Sequence, residues 1–163
     1  FEDNRIEFSI FSSGAYVRGD ISSITYGSWN HIAVAIDLTQ SGTDRGRIYV
    51  NGVDETTSVV LSAVSSFPTA TDELYIGEAK NGQYNPFLGK IDEFAIWAGT
   101  TLTSGNASTL YNSGVPTDLS QFSTPPTTWY RFEEGSGTTI SDSIGSADAS
   151  IVNQTSFVED VPS

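Results

Sequence analysis

Short apolar runs separated by clusters of Gly, Asn, Asp, Ser and Pro recur along the chain, and helical periodicity is almost missing. Alternating apolar and polar positions are typical of β-strands, because successive side chains point to opposite faces. Many short strands at regular spacing indicate an antiparallel sandwich or barrel. The pattern predicts strands at residues 5–11, 15–18, 30–37, 47–50, 53–56, 73–77, 90–97, 128–133, 138–141 and 149–152.

The segment at residues 30–37 has apolar side chains on both of its faces. Ile32, Val34 and Ile36 alternate with the small residues Ala33 and Ala35. A strand that is apolar on both faces is covered on both sides. We therefore place this strand centrally in the sheet system.

The segment at residues 90–97 is predicted to face residues 32–36 across one closed interior. Its alternation places Asp92 on the same face as Phe94 and Ile96, whereas Glu93 lies with Ile91 and Trp97. Between these two segments, Asn51-Gly52 is a strong hairpin signal, since both residues tolerate positive φ. These features favour an all-β fold of two antiparallel sheets.

One helix is expected at residues 103–112. Thr103 or Ser104 can cap its start, and Gly114 followed by Pro116 can end it. The Pro125-Pro126 connection is interpreted as an internal crossover, because the residues after it hold too few strands for a separate core. Residues 1–163 are therefore predicted to form a single domain. We expect this domain to be a fragment of a longer chain, since the sequence starts at Phe1 and contains no Met.

The charge balance restricts the class of partner. Twenty acidic and seven basic residues give a formal net charge of −13. Such a charge disfavours nucleic acid and suits divalent cations or neutral ligands. Without Cys, disulfides and thiolate metal sites are excluded, and no apolar run approaches the ~20 residues that membrane insertion requires.

Three blocks together resemble the laminin-G-like (concanavalin A-like) jelly-roll family. They are residues 28–34 (SWNHIAV) with 48–52 (IYVNG), residues 76–77 (IG) with 87–97 (FLGKIDEFAIW), and residues 129–137 (WYRFEEGSG). The resemblance implies a two-sheet jelly-roll sandwich. The segment similar to residues 129–142 usually opens such a domain, but here it closes the chain. The order therefore implies a circular permutation or a junction between repeats.

Residues 111–119 and 158–162, in this permuted order, are similar to surface proteins encoded by marine bacteriophages. This resemblance implies a virion-displayed domain on a capsid, fibre or other appendage. Members of the family also occur as modules of bacterial secreted proteins and glycosidases. The expected location is therefore extracellular or on a virion surface.

The residue patterns required for catalysis are missing, so an enzyme is not expected. A retaining glucanase needs two carboxyl groups about 5 Å apart, which on a strand means acidic residues that share a face. The neighbours Asp92 and Glu93 do not share one, and neither do Glu133 and Glu134. His31 is the only histidine, and without Cys or a second His it forms no zinc site or Cys/His pair.

Calcium is the ion that the acidic, amide-rich loops suit, because it takes six to eight oxygen ligands. Asp92 is the leading candidate, since a charge on an apolar face requires compensation. The family resemblance places the strand of residues 129–134 near Asp92, which implies Glu134 and Asp142 as co-ligands. The alternative is that Asp92 accepts backbone N–H bonds and no metal binds.

Sugar binding would use exposed aromatic rings as stacking platforms, beside Asn and Asp side chains. The candidates are Tyr84, Tyr26 and Trp97, whereas Trp129 is assigned to the core with Trp29 and Phe132. The tripeptide at residues 18–20 (Arg-Gly-Asp) is interpreted as a chance match.

The predicted function is non-catalytic adhesion or carbohydrate binding on a virion or cell surface. The expected partners are a host-surface or extracellular glycan and other virion or surface-protein subunits. Two alternatives remain open: a purely structural building block, and the binding module of a secreted glycosidase.

Overall fold

The computed structural model of the protein describes residues 5–10, 14–67, 69, 73–78, 86–152, 156–159 and 162. These residues form mostly antiparallel β-structure with one short helix, as the sequence predicts, in sheets that are small and not closed. No helix in this described part is long and apolar enough to cross a membrane. The strands are β1 (Arg5–Ile10), β2 (Ala15–Asp20), β3 (Ile32–Ile36), β4 (Gly46–Val50), β5 (Val53–Asp54), β6 (Thr56–Val60), β7 (Phe94–Ile96), β8 (Thr128–Tyr130), β9 (Thr139–Ile140) and β10 (Ala149–Ser150). The α-helix is α1 (Ser104–Tyr111), and 3-10 turns lie at Gly42–Arg45, Asn112–Gly114 and Leu119–Gln121.

The strands pair in four groups. β2 lies between β1 and β6 in the first sheet, and β4 lies between β3 and β5 in the central sheet. The pairs β7–β8 and β9–β10 form the other two groups, and both pairs are antiparallel. Because β8 belongs to the C-terminal part of the chain and β7 precedes α1, this pairing ties the tail to the rest.

The central sheet is covered on both faces, which confirms that β3 is apolar on both of its faces, but β3 lies at the edge of this sheet and β4 in its middle, so the central position predicted for β3 was wrong. Ala33 and Ala35 pack in one apolar cluster with Trp129 of β8 and with residues of α1. Val34 and Ile36 pack in a second cluster, against the first sheet. The prediction of one closed interior was wrong, since β3 and β4 divide the buried residues into two clusters.

The return strand predicted at residues 53–56 is divided between two sheets. β5 pairs with β4, and β6 pairs with β2. Between them, the backbone N–H of Glu55 donates to Ile48 O at 3.0 Å, while Glu55 O accepts from Asp20 N–H at 2.8 Å. Glu55 is therefore the point at which the chain crosses from the central sheet to the first sheet.

Two other strand predictions require correction. Residues 73–77 do not form a strand in the structure. The strand predicted at 90–97 contains only β7, because Glu93 has a φ of 52° and interrupts the alternation before it. Asp92 therefore lies outside the strand, and alternation no longer places its side chain beside those of Phe94 and Ile96.

The helix forms where it is predicted, with Thr103 as its cap. Thr103 Oγ1 accepts from Asn106 N–H at 3.2 Å, and Asn106 Oδ1 accepts from Thr103 N–H at 3.0 Å. This reciprocal capping box satisfies two backbone donors. At the other end, Asn112 takes the left-handed conformation with a φ of 43°, so α1 ends at Tyr111, within one residue of its predicted end at residue 112.

Candidate functional site

Of the two predicted aromatic ligands that the structure describes, Tyr26 and Trp97, Tyr26 is the more exposed, with 72% of its surface accessible. Tyr26 is the second residue of a tight turn in which Ser28 N–H donates to Thr25 O at 3.3 Å. The third residue, Gly27, has a φ of 77°, which glycine adopts without strain. The turn therefore directs Tyr26 outwards at its tip.

The side chain of Asn30 holds this turn in shape. Its Oδ1 accepts from Thr25 N–H at 2.8 Å, and its Nδ2 donates to the carbonyls of Thr25 and Ser28, each at 2.9 Å. One amide thus closes the turn from both sides. We define residues 21–30 as the Tyr26 loop.

Asn51, at the turn between β4 and β5, fastens the Tyr26 loop to the central sheet. Its Nδ2 donates to Ser23 O at 2.7 Å and to Asn30 Oδ1 at 3.0 Å, and its Oδ1 accepts from His31 N–H at 2.9 Å. Asn51 itself has a φ of 51°. The Asn-Gly signal in the sequence predicts the turn here, but it does not indicate that the asparagine amide also binds a distant loop.

Glu55 adds a second attachment for the same loop. Its carboxylate accepts hydrogen bonds from the hydroxyls of Ser22 and Ser23. These contacts join the Tyr26 loop to the residue at which the chain changes sheets. No sequence signal identified either serine or Glu55 as part of this framework.

The other predicted aromatic ligands are placed differently. Trp97 is half-buried, its ring meets Phe122 edge-on with centroids 6.1 Å apart, and its Nε1 donates to Thr124 O at 2.8 Å. These contacts leave less of Trp97 available for stacking than of Tyr26. Tyr84 lies outside the described residues. The assignment of all three as ligand contacts stays a prediction.

A mixed-charge cluster lies where β7 and β8 meet. Glu93 Oε2 accepts from Trp129 Nε1 at 2.6 Å, and Glu93 Oε1 is 3.6 Å from Arg131 Nε. The Arg131 guanidinium also lies 5.1 Å from the centre of the Trp129 ring and 3.4 Å from Glu133. Glu93 is therefore engaged in structural contacts, which the sequence did not reveal.

Burial changes the acidity of the two adjacent carboxyl groups in this cluster. Desolvation raises the pKa of Glu93, and the Trp129 and Arg131 contacts only partly oppose that rise. Desolvation also raises the pKa of Asp92, whose Oδ1 accepts from Glu93 N–H at 3.1 Å. The sequence left open an alternative to calcium binding, in which Asp92 accepts backbone N–H bonds. The hydrogen bond from Glu93 N–H is a contact of that kind.

Asp142 holds the end of the chain together through backbone contacts. Its carboxylate accepts from the N–H groups of Trp129, Ile144, Gly145 and Ala147 at 2.9–3.3 Å. Burial raises the pKa of Asp142, but these hydrogen bonds outweigh it and hold the pKa below its ordinary value of 3.8. The predicted calcium ligand thus acts as an anchor for the segment that contains β8 and the turn before β10.

Glu134, the other predicted co-ligand, bonds to the same region. Its Oε1 accepts from Ser141 N–H at 2.8 Å, while its Oε2 is buried without a hydrogen-bond partner in the described part of the chain. Among the described residues, no group of three or more His, Asp or Glu side chains could hold a metal ion. The calcium site of Asp92, Glu134 and Asp142 stays a prediction.

The structure also shows the contacts of the Arg-Gly-Asp tripeptide and of the single histidine. The Arg-Gly-Asp tripeptide lies within and at the end of β2, where Arg18 Nε donates to Glu7 at 2.6 Å and Asp20 accepts from Ile21 N–H at 2.6 Å. His31 packs 6.3 Å from the Tyr111 ring, and burial lowers its pKa.

A comparison with protein-family models matches residues 1–108 to a laminin-G-type model of the concanavalin A-like lectin/glucanases superfamily. No curated protein and no solved structure matches the chain. The matched segment contains the first sheet, the central sheet, β7 and most of α1. Because the match covers well over half of the sequence, the chain belongs to the concanavalin A-like lectin/glucanases superfamily, in its laminin-G-type branch.

Proposed function

We propose that this chain is a non-catalytic carbohydrate-binding domain that mediates adhesion at a virion or cell surface. The observation that carries the proposal is the Tyr26 loop, which presents an aromatic ring that is 72% accessible on a hydrogen-bonded turn. Concanavalin A-like and laminin-G domains often bind carbohydrate or mediate adhesion, and that general property of the family supports the same assignment.

The loop has the physical properties that sugar recognition requires. An aromatic face stacks on the C–H groups of a sugar ring, and loops held by a rigid scaffold lose little entropy on binding. The neighbours Thr25, Gly27 and Ser28 are uncharged, so the turn suits a neutral ligand. The chain's net charge of −13 also disfavours anionic partners, including nucleic acid.

The non-catalytic assignment is supported by the state of the carboxylates at the junction of β7 and β8. Glycoside hydrolysis requires one carboxyl group as acid and another free to act as nucleophile or base. Glu93 is held by Trp129 and Arg131. Asp142 is held by four backbone N–H groups. These carboxylates serve the fold.

The test is binding to a glycan array, followed by titration of the glycans that bind. Tyr26→Ala is expected to weaken binding by about ten-fold, as for removal of one stacking side chain. Tyr75→Ala is the matched control, because Tyr75 is 37% accessible but lies in residues 73–78, outside the Tyr26 loop. A blank array, or unchanged binding by Tyr26→Ala, would contradict the proposal.

We also propose that the domain is permuted and displayed on a bacteriophage surface or another extracellular surface. The permuted order is supported by the family match, which ends at residue 108, and by β8, which lies beyond the match yet pairs with β7. A structural Ca²⁺ belongs to the same proposal, with the unpartnered Glu134 Oε2 as its support. An unchanged melting temperature in the presence of chelator would remove the ion.

A structural building block is the second candidate function, favoured by apolar side chains that the fold leaves exposed. Leu74, Phe87 and Leu88 are 60%, 54% and 93% accessible. Burial of such side chains stabilises contacts between subunits. This role predicts that the domain self-associates or binds another surface protein, which light scattering with size-exclusion chromatography would detect.

A further inference from the structure

A cleft of about 610 Å³ lies between the turn that joins β4 to β5 and the C-terminal end of α1. Much of this volume is open to solvent, so the cleft contacts a ligand on one side and does not enclose it. The helix packs tightly on the turn: a Cβ atom at Gly52 would lie 3.2 Å from the Tyr111 ring and 3.3 Å from Ser108 Cα. The cleft therefore has walls from two separate elements that are held close together.

The lining of the cleft is polar but uncharged. The turn contributes Asn51 and Gly52, and the helix end contributes Ser108, Tyr111, Asn112 and Ser113. None of the described residues that line it carries a charge. The chain has a net charge of −13, yet this concave surface is uncharged. It therefore offers an ionic ligand no ion pair.

Several hydrogen-bonding groups in the cleft are available to a ligand. The hydroxyls of Ser108, Tyr111 and Ser113 make no side-chain hydrogen bond to other described residues. By contrast, Asn51 and Asn112 use their amides internally, and these bonds fix the walls. The lining thus combines one aromatic ring with three unused hydroxyls, a set that matches the apolar face and hydroxyl edge of a sugar.

The backbone around the cleft is held in conformations that few residues adopt. Asn51, Asn112 and Ser113 have φ values of 51°, 43° and 59°. Only five non-glycine residues with positive φ occur in the described part of the chain, so three of the five lie here. Such conformations persist where the surroundings enforce them, and they concentrate at binding sites.

The cleft is joined to the Tyr26 loop through Asn51. Asn51 lines the cleft, and its side-chain amide donates hydrogen bonds to Ser23 O and Asn30 Oδ1 of the loop. β3 follows the Tyr26 loop, and its first residue, Ile32, pairs with Val50 immediately before the turn. Loop and cleft therefore lie at the same end of the central sheet.

We propose that this cleft binds one residue of a neutral carbohydrate, with Tyr111 as the aromatic wall and the hydroxyls of Ser108 and Ser113 as hydrogen-bonding partners. This proposal rests on the proposed function, because it assigns a sugar subsite to the carbohydrate-binding domain. The ligand class follows from the lining: the described residues that line the cleft offer neither a cationic partner for an anion nor a carboxylate for a cation.

The probes are glucose, galactose and mannose, with glucuronate as the charged counterpart, titrated into isotopically labelled protein and followed by amide NMR shifts. We expect at least one neutral sugar to shift the resonances of Gly52 and Ser113, and glucuronate to shift them less. Ser108→Trp, which fills the cleft from an exposed helix position, should weaken binding by about ten-fold or more. Tyr111→Phe keeps the ring but removes its hydroxyl and should weaken binding by about three-fold to ten-fold.

Ser104→Trp is the matched control, because Ser104 is an exposed serine of the same helix that does not line the cleft. If Ser104→Trp weakens binding as much as Ser108→Trp, the assignment of the cleft is overturned. It is also overturned if Ser108→Trp and Tyr111→Phe both bind array glycans as tightly as the unaltered chain, and in that case the proposed function stands. If the unaltered chain binds neither the monosaccharides nor any array glycan, the proposed function itself fails.

Discussion

At the scale of single residues, polar side chains that bond to backbone groups hold the loops of this protein. Asn30 shapes the Tyr26 turn, and Asn51 attaches that turn to the central sheet. Arg45 is only 7% accessible and donates to the carbonyls of Leu61, Leu38 and Val64. Buried backbone groups without partners are costly, so each of these side chains stabilises a loop that the sheets do not order.

Asp142 accepts more backbone hydrogen bonds than the side chains above, and two replacements of it should lower the stability of the protein to different extents. Asp142→Ala leaves four backbone N–H groups without their acceptor and should lower the free energy of unfolding by about 2–4 kcal/mol. Asp142→Asn keeps an oxygen at Oδ1 but loses the Oδ2 acceptor of Ala147 N–H, so about 1 kcal/mol is expected. Urea unfolding near neutral pH measures both values.

The pH dependence of the same variants follows from the lowered pKa of Asp142. A carboxyl group whose pKa is lower in the folded state contributes stability that is present above its ordinary value of 3.8 and is lost as the pH falls through the folded value. Below about pH 3.8 the unaltered chain should therefore lose more stability than Asp142→Asn. Glu159→Gln, at an exposed carboxylate, is the control. Equal acid sensitivity of Asp142→Asn and the unaltered chain would show that the carboxylate is not the anchor.

At the scale of elements, two glycines allow the first and central sheets to approach closely. A Cβ atom at Gly46 of β4 would collide with Val17 of β2, and a Cβ at Gly19 of β2 would lie 2.9 Å from Ile48 of β4. Each glycine therefore accommodates a branched side chain from the opposite sheet. The requirement at Gly46 is for space, since its φ of −152° is open to any residue.

This packing predicts a specific rescue. Gly46→Ala should lower the free energy of unfolding by about 1–3 kcal/mol, because the added methyl overpacks the contact with Val17. Combining it with Val17→Ala should cost less than the sum of the two single changes, and a double-mutant cycle measures the difference. Gly105→Ala is the control, since that helical position has space and should gain up to about 1 kcal/mol. Additive single effects would contradict the contact.

Elements defined by local signals could be predicted from the sequence, whereas those defined by distant pairing could not. Alternation placed β3, and the cap at Thr103 placed α1. The division of the return strand predicted at residues 53–56 was missed because no Gly or Pro interrupts it, and only pairing with β2 shows that the chain changes sheets. The interruption before β7 was missed because nothing in the sequence marks Glu93 for a positive φ.

In the candidate site, too, features set by local sequence could be predicted, and features set by distant contacts could not. Tyr26 could be selected because an aromatic residue in a polar loop is a candidate for exposure, and the structure leaves it 72% accessible. The amides of Asn30 and Asn51 that hold its loop could not be selected, since their partners are set by folding. The cleft at Tyr111 combines residues about 60 positions apart along the chain, so it required the packing of α1 on the turn.

At the scale of the whole molecule, the tail completes the packing of the part that matches the family. The match ends at residue 108, but the cluster around Ala33, Ala35 and Tyr49 also contains Leu110, Leu119 and Trp129 from beyond it. Trp129 is 4% accessible in this cluster. The matched segment by itself would leave one face of the central sheet without these side chains.

The fragment of residues 1–108 is therefore expected not to fold cooperatively. Without Leu110, Leu119 and Trp129, apolar surface on the central sheet faces water, and the lost burial of these three side chains, at about 1.5–3 kcal/mol each, is comparable with the usual stability of about 5–15 kcal/mol for a domain. Thermal melting by circular dichroism and the dispersion of amide NMR signals measure this. Trp129→Ala in the full chain serves as the intermediate case, with an expected loss of about 3–5 kcal/mol.

Addition of residues 109–163 as a separate peptide should restore part of the cooperative transition, since β8 supplies both the partner of β7 and the side chain of Trp129. A fragment that melts cooperatively at the temperature of the full chain would show that the central sheet does not depend on the tail for its cover.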